Sequence, residues 1–236
     1  NRVVYLADKR QEMHFTQVFR AAKKTGIVPA STELKFIGFG TMNGKDGKPF
    51  KTRDGGVLRL EHLLADVTAQ VSDKMADRDM DDETRADVAA KVALAAIKYG
   101  DLSNQASKDY VFDLDRFTSF EGNTGPYIMY TIVRIKSLLA KVAQNAIEVD
   151  EQLPILPASD KSATDVMLSL SKWGEIVQAA YEEQAPHKIC QFIYELSDAY
   201  NKFYHENKIV ANEDAALRNS HICLSKLVVN VLETAV

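Results

Sequence analysis

The period of the apolar positions changes once along this chain, and the change divides it. Residues 2–7 form a β-branched, apolar run of the kind a buried strand uses. Phe15, Val18, Phe19 and Ala22 then recur at helical spacing over 14–25, with Gly26 as the stop. Residues 34–39 read as a second strand, so the opening predicts strand, helix, strand, one step of a parallel α/β layer. After a loop at 40–56 dense in Gly and Lys, the pattern is helical almost throughout. Leu60, Leu63, Leu64, Val67 and Val71 mark one stripe. An acidic stretch at 73–87 reads as a solvated turn and helix start. Val88, Val92, Ala95, Ala96 and Tyr99 mark the next stripe, closed by Gly100. Residues 101–120 are less regular, with 110–112 extended and Asp113 or Asp115 as caps.

A helix from Pro126 to about 146 follows, then a linker-like loop at 148–158 with Pro154 and Pro157. Three more amphipathic helices are expected. Val166, Leu170, Trp173, Val177 and Tyr181 line the first, and Ile189, Phe192, Ile193, Leu196, Tyr200 and Phe203 the second. Leu217, Leu224, Val228 and Val231 line the third. There is no fixed-period repeat, which predicts a bundle rather than a solenoid.

The most informative stretch is Glu121-Gly122-Asn123-Thr124-Gly125-Pro126-Tyr127, which runs directly into the helix behind it. Gly122 and Gly125 supply permissive backbone, Thr124 is a candidate cap, and Pro126 suits a first helical position, where a missing N–H costs nothing. At about 100° per residue, Tyr127, Tyr130, Arg134 and Lys141 fall within roughly a quarter of the circumference. Ile128, Ile132, Ile135, Leu139 and Val142 form a separate stripe about a third of a turn away. One face can bury itself while the other presents rings and positive charge, a pairing suited to unpaired bases beside a phosphate backbone. Periodicity alone equally allows the tyrosines to widen the core stripe.

Composition adds limits. The 236 residues are 46% hydrophobic and 26% charged, with a formal net charge of −4, so a general nucleic-acid coat is excluded and any such contact must be local. No apolar run approaches the roughly 20 residues that span a bilayer, so no membrane partner is expected. Cys190 and Cys223 sit inside separate helical patterns and read as small buried apolar residues, compatible with a reducing compartment. The chain begins with Asn1 and enters a strand at once, so a longer protein is expected.

Candidate chemistry is sparse. The loop Gly44-Lys45-Asp46-Gly47-Lys48-Pro49-Phe50-Lys51-Thr52-Arg53 holds four bases and one acid, a composition suited to phosphate charge, although the P-loop spacing is absent. The histidines at 14, 62, 187, 205 and 221 have no metal-ligand spacing, and no serine lies in a Gly-x-Ser-x-Gly elbow. Covalent and metal-assisted chemistry are unsupported, and no bound protein metal is expected.

The loop at 44–54 with Gly55-Gly56 resembles the G-K-D-G-K-P-F-K-T-R-x-G-G segment of the bacterial arginyl-tRNA synthetases, where it takes the place of the class I K-M-S-K-S signature. Asp101-Leu102-Ser103, Tyr110-Val111-Phe112-Asp113 and Glu121 to Tyr127 are similar to later motifs of that family, in the same order. Arg10-Gln11 and His14-Phe15-x-Gln17 resemble the strand and helix before the loop.

The resemblance implies a mostly α chain: the tail end of a Rossmann-like α/β catalytic domain with a helical connecting region over 1–112, followed by an α-helical anticodon-binding bundle over 113–236 that ends short of the family's usual terminus. It implies an arginine–tRNA ligase that forms an arginyl-adenylate from ATP, supplied with Mg, and passes arginine to its tRNA. Lys51 and Arg53 would act on the phosphates during adenylation, with Lys45, Lys48, Phe50 and Thr52 as the rest of the loop. Gln17 would hold substrate arginine. Tyr127, Tyr130, Arg134 and Tyr204 would contact the anticodon loop. The family's H-x-G-H signature is absent, since no two histidines are three apart, so this chain alone is expected to be inactive in adenylation. A cytoplasmic monomer is expected. The alternatives are a stand-alone synthetase-derived tRNA-binding protein and a helical protein-interaction module without catalysis.

Overall fold

The computed structural model describes residues 1–49, 59–76 and 80–236. The chain folds as two units: Asn1–Leu63 with Asn104–Leu114, and Leu64–Ser103 with Asp115–Val236.

In the first unit, β1 (Arg2–Asp8) pairs in parallel with β2 (Glu33–Phe39), in register from Arg2 opposite Glu33 to Asp8 opposite Phe39. A single 3-10 turn (Lys9–Gln11) and α1 (Glu12–Lys24) connect them. Gly26, at φ +76°, lets the chain turn out of α1, a conformation that costs a glycine nothing. The aromatic ring of Phe15 stacks on Phe36 at 5.0 Å, and Phe15 and Phe19 both meet Tyr5. The expected α/β step is present, but β1 is not the buried strand its composition predicts. Val3, Val4, Tyr5 and Leu6 are 40–66% exposed, because among the described residues β1 has one neighbouring strand and α1 covers only part of one face.

The chain then enters β3 (Met42–Asn43), which pairs in parallel with β4 (Tyr110–Val111). Asp109 fixes this junction. Its carboxylate accepts from the Thr41 backbone N–H at 2.7 Å and from Lys9 Nζ at 2.8 Å, and the Lys9 bond is the main reason its pKa lies below the ordinary carboxylate value.

The second unit is helical. α2 (Leu60–Lys74) enters it at Leu64, burying Val67 and Val71. α3 (Asp82–Leu102) starts on Asp81, whose carboxylate accepts from Thr84 N–H at 2.8 Å. Gly100 does not close this helix, as its sequence suggested. It lies inside α3 with the Phe117 ring against it, and an added Cβ would sit 2.4 Å from that ring. A short helix, α4 (Leu114–Phe117), leads to α5 (Gly125–Gln144).

The stretch expected to form one helix through Trp173 is two, α6 (Lys161–Ser171) and α7 (Trp173–Glu183), with Lys172 between them at φ −84°, ψ −9°. Tyr181 and Val177, placed on the core stripe by periodicity, are 68% and 38% exposed. α8 (Pro186–Glu206) and α9 (Ala215–Ala235) complete the bundle. Its core joins Ile128, Ile135 and Val142 of α5 to Phe192, Leu196, Tyr200 and Phe203 of α8 and to Ile222, Val228 and Leu232 of α9. Cys190 is buried as expected, and burial pushes its thiol up to about 11. Cys223 is not; it is partly exposed, on the side of α9 that faces the 148–158 loop.

Candidate nucleic-acid interface

Local chemistry starts α5 where the sequence placed it. Gly122 turns at φ +78°. The Thr124 hydroxyl accepts from Tyr127 N–H at 3.2 Å and donates to the Ser119 carbonyl at 2.6 Å, so one side chain caps the helix and ties it to the preceding turn. Pro126 occupies the first turn. Gly125 is needed for a different reason than a permissive φ: a Cβ there would lie 2.3 Å from the Ala95 carbonyl oxygen of α3. The absence of a side chain lets α5 begin directly against α3.

This start sets the rotation of α5, and Tyr127, Tyr130 and Arg134 emerge beside α8. The Arg134 guanidinium carbon lies 4.7 Å from the centre of the Tyr130 ring and 5.1 Å from that of Tyr204, so the cation is bracketed by two π faces. Arg134 Nη2 donates to the Tyr130 hydroxyl at 3.0 Å and Nη1 to Asn201 Oδ1 at 2.6 Å. His205 Nε2 stands 3.4 Å from the same Nη1, and the His205 ring meets Tyr204 edge-on. No carboxylate forms an ion pair with Arg134 among the described residues, so its charge is held by neutral groups.

The two tyrosines of α5 differ. Tyr130 is 47% exposed and stands outside the core cluster. Tyr127 packs against the core, its ring 5.9 Å from Tyr194, and its hydroxyl lies 3.0 Å from Asn201 Nδ2 and 3.4 Å from Asp198. Burial raises the Tyr127 pKa, opposed by the Asn201 bond and reinforced by the Asp198 charge, so the phenol stays protonated. Tyr204 likewise has one side on the core. Each of the readings left open by periodicity therefore fits a different residue. Tyr130 faces outward, while Tyr127 belongs partly to the core.

The structure brings together the four residues that the resemblance assigned to the anticodon loop, Tyr127, Tyr130, Arg134 and Tyr204. Lys141 is exposed two turns further along α5. Sequence reasoning missed Asn201, Thr131, Asp198 and His205. Asn201 and Thr131 stand at helical spacing from Tyr204 and Tyr127, a signal meaningful only once the pairing of the helices is known, and Asp198 and His205 carry no such spacing.

The other expected site is described in part. Gly44 N–H donates to the Lys48 carbonyl at 2.8 Å and Gly47 turns at φ +73°, so the loop begins with a tight reversal. Lys45 forms an ion pair with Asp113 at 3.0 Å, and Lys48 is exposed. Phe50, Lys51, Thr52 and Arg53 lie outside the described residues. Gln17 is exposed on α1, roughly 200° around the helix from Phe15 and Phe19, away from the face that meets the sheet. Among the described residues no group of acidic, histidine or cysteine side chains could hold a metal ion, and no helix is long and apolar enough to cross a membrane.

Comparison with known proteins gives two matches in chain order. Residues 1–114 match the family of class I tRNA synthetases (R), catalytic domain, and residues 128–236 match the DALR anticodon binding domain. The chain is 57% identical to an arginine–tRNA ligase of Agathobacter rectalis over 100% of its own length and 41% of that protein. It is 50% identical to an arginine–tRNA ligase of Alkaliphilus oremlandii over 99% of its length and 40% of that protein. The chain thus spans about 40% of the length of these relatives. Among solved structures, the arginyl-tRNA synthetase of Thermus thermophilus superposes with a TM-score of 0.82 at 24% identity, covering 98% of this chain and 39% of that one, a likeness of fold. Two matches in this order do not favour a helical interaction module with a fortuitous loop. The chain belongs to the arginyl-tRNA synthetase family, spanning the end of the class I catalytic domain and the helical anticodon-binding domain.

Proposed function

We propose that this chain serves an arginine–tRNA ligase as the part that grips the anticodon loop and supplies the phosphate-steadying loop of the catalytic domain. In this reading the functional boundary falls at 112–113, and 64–103 is a helical connection that packs with the second unit. The observation that carries the anticodon assignment is the Arg134 guanidinium, bracketed by Tyr130 and Tyr204 and paired with no carboxylate among the described residues. A cation held by neutral partners keeps its charge for a phosphate or a base edge, and the exposed Tyr130 face offers a stacking surface beside it.

The chemistry that this grip serves is adenylation of arginine by Mg–ATP followed by transfer to the tRNA. Catalysis of that kind is positioning and charge stabilisation, and needs no protein nucleophile. Lys51 and Arg53 are the bases assigned to the ATP phosphates, with Lys48, Phe50 and Thr52 as their loop. Lys45, engaged by Asp113, anchors the loop's start rather than meeting phosphate. Gln17 is assigned to substrate arginine. We take the protein to be a cytoplasmic monomer with tRNA for arginine, arginine and ATP as partners.

The anticodon assignment is tested by fluorescence anisotropy with a labelled anticodon stem-loop carrying an arginine anticodon. Arg134→Ala should weaken binding by about tenfold, or about 1.4 kcal/mol, and flatten its salt dependence. Unchanged affinity and an unchanged salt slope would refute it.

A further inference from the structure

One side chain on α8 controls how the interface is set. Asn201 is only 8% exposed, and its carboxamide touches three residues of α5. Nδ2 lies 3.0 Å from the Tyr127 hydroxyl and 2.9 Å from Thr131 Oγ1, while Oδ1 accepts from Arg134 Nη1 at 2.6 Å. The orientation of the amide follows from counting protons. The Thr131 hydroxyl donates to the Tyr127 carbonyl at 3.1 Å, and the Tyr127 hydroxyl points its proton towards Asp198 at 3.4 Å. Both oxygens therefore offer lone pairs to Asn201, which must turn its NH2 group to them. That leaves Oδ1 for the guanidinium, a group that can only donate.

The choice of a neutral acceptor has a consequence. A carboxylate at 201 would hold Arg134 equally well, but would cancel the charge that the interface needs. An apolar side chain would leave the charge intact and release the guanidinium from one of its fixed points. A carboxamide does neither. It fixes position without consuming charge.

We propose that Asn201 is the positioning residue of this interface: its amide sets the Arg134 guanidinium between Tyr130 and Tyr204 and locks the Tyr127 ring, leaving the full positive charge of Arg134 for an RNA phosphate. The proposal rests on the reading of this face as an anticodon-loop site.

The test uses the full chain and the same labelled anticodon stem-loop, with affinity measured over a salt series. The variants are Asn201→Asp, Asn201→Leu, Arg134→Ala and the Asn201→Leu/Arg134→Ala double. Asn201→Asp keeps the volume, and the Thr131 and Tyr127 hydroxyls can rotate to donate to it. Its melting temperature should therefore hold while affinity falls about tenfold and the salt slope loses roughly 0.7, the share of one phosphate on a single strand. A purely structural role for Asn201 would not move that slope. Asn201→Leu should weaken binding severalfold in the parent and add nothing once Arg134 is gone.

Wild-type affinity and salt slope in Asn201→Asp, with Arg134→Ala still weakened, would overturn the positioning role and leave the interface standing. Additive losses in the double variant would do the same. An Arg134→Ala protein that binds like wild type would overturn the interface reading, and this proposal with it. If Asn201→Leu fails to fold, Asn201→Ala takes its place, alone and in the double variant.

Discussion

Replacing Gly125 by alanine is the sharpest probe of how α5 is seated. A methyl group there would lie 2.3 Å from the Ala95 carbonyl oxygen, 2.7 Å from its carbon and 3.0 Å from Tyr99 Cβ. The first two atoms are backbone of α3, so no side chain can swing aside. To bring the first contact even to 3.0 Å, the two helices must separate by about 0.7 Å at this point. Overpacking of this kind costs about 1–3 kcal/mol. Alanine returns about 0.4–1 kcal/mol by restricting the unfolded chain. The midpoints give a net loss of about 1.3 kcal/mol, within limits of about 0 and 2.6, which for a unit of this size lowers the melting temperature by about 3–5 °C.

Thermal unfolding followed by far-ultraviolet circular dichroism measures this directly. Gly174→Ala is the internal control. Gly174 lies in α7 with nothing within 4 Å of an added Cβ, so alanine there should stabilise by about 0.4–1 kcal/mol. A Gly125→Ala protein that melts at or above the parent temperature would refute the close-approach argument. Because the displaced turn carries the Thr124 cap and Tyr127, stem-loop affinity should fall together with stability.

Other expectations are more local. Tyr130→Ala should lower stem-loop affinity by about 1–3 kcal/mol, the range for base–aromatic stacking, with a small change in melting, whereas Tyr127→Ala should lower both, since Tyr127 packs on the core. Equal melting losses in the two variants would contradict the distinction. His221 is 1% exposed, and burial lowers its pKa against the pull of Asp160. The unfolded chain therefore takes up this proton first, so the stability tied to the neutral ring is complete above about pH 6.5 and is lost as pH falls towards the depressed folded value. Melting measured across that window should fall with acid, and His221→Gln should flatten the slope; an identical slope in the variant would remove His221 as the cause. If the full-length protein is the ligase proposed above, Lys51→Ala or Arg53→Ala in it should slow ATP–pyrophosphate exchange by on the order of 10²–10³ with arginine binding preserved, and a raised arginine KM at normal rate would contradict the phosphate assignment.

What could be read from the sequence depended on how local the responsible chemistry was. The start of α5 was legible because Gly122, Thr124 and Pro126 act within one turn of one another. The parallel pairing of β1 and β2 followed from a strand, helix, strand order that leaves few alternatives. Gly100 was misread as a stop because its value lies in the Phe117 ring, a partner outside its own turn. The break at Lys172 carries no Gly or Pro, and Leu170 and Trp173 continue the apolar pattern across it. The exposure of Val3 and Val4 could not follow from composition, which records an apolar strand but not how many neighbours cover it. Tyr127, Tyr130 and Arg134 were grouped correctly by one helix's period, but Asn201 was invisible, since its partners stand about 70 positions away on another helix.

The tie at Asp109 also constrains the order in which the chain can fold. Thr41 and Asp109 meet across 68 residues, and the segment between them runs into the second unit and back through α2 and α3. Closing a flexible loop of that length costs about 4 kcal/mol in chain entropy, a large charge against one two-residue pairing of β3 with β4. The cost shrinks if α2 and α3 form first, since fewer flexible residues then separate the two ends of the excursion. The first unit, although its Asn1–Leu63 segment is made first, would then be completed only after part of the second has formed. Damage to α3 should therefore be felt as slow closure of β3 on β4, far from the substituted position.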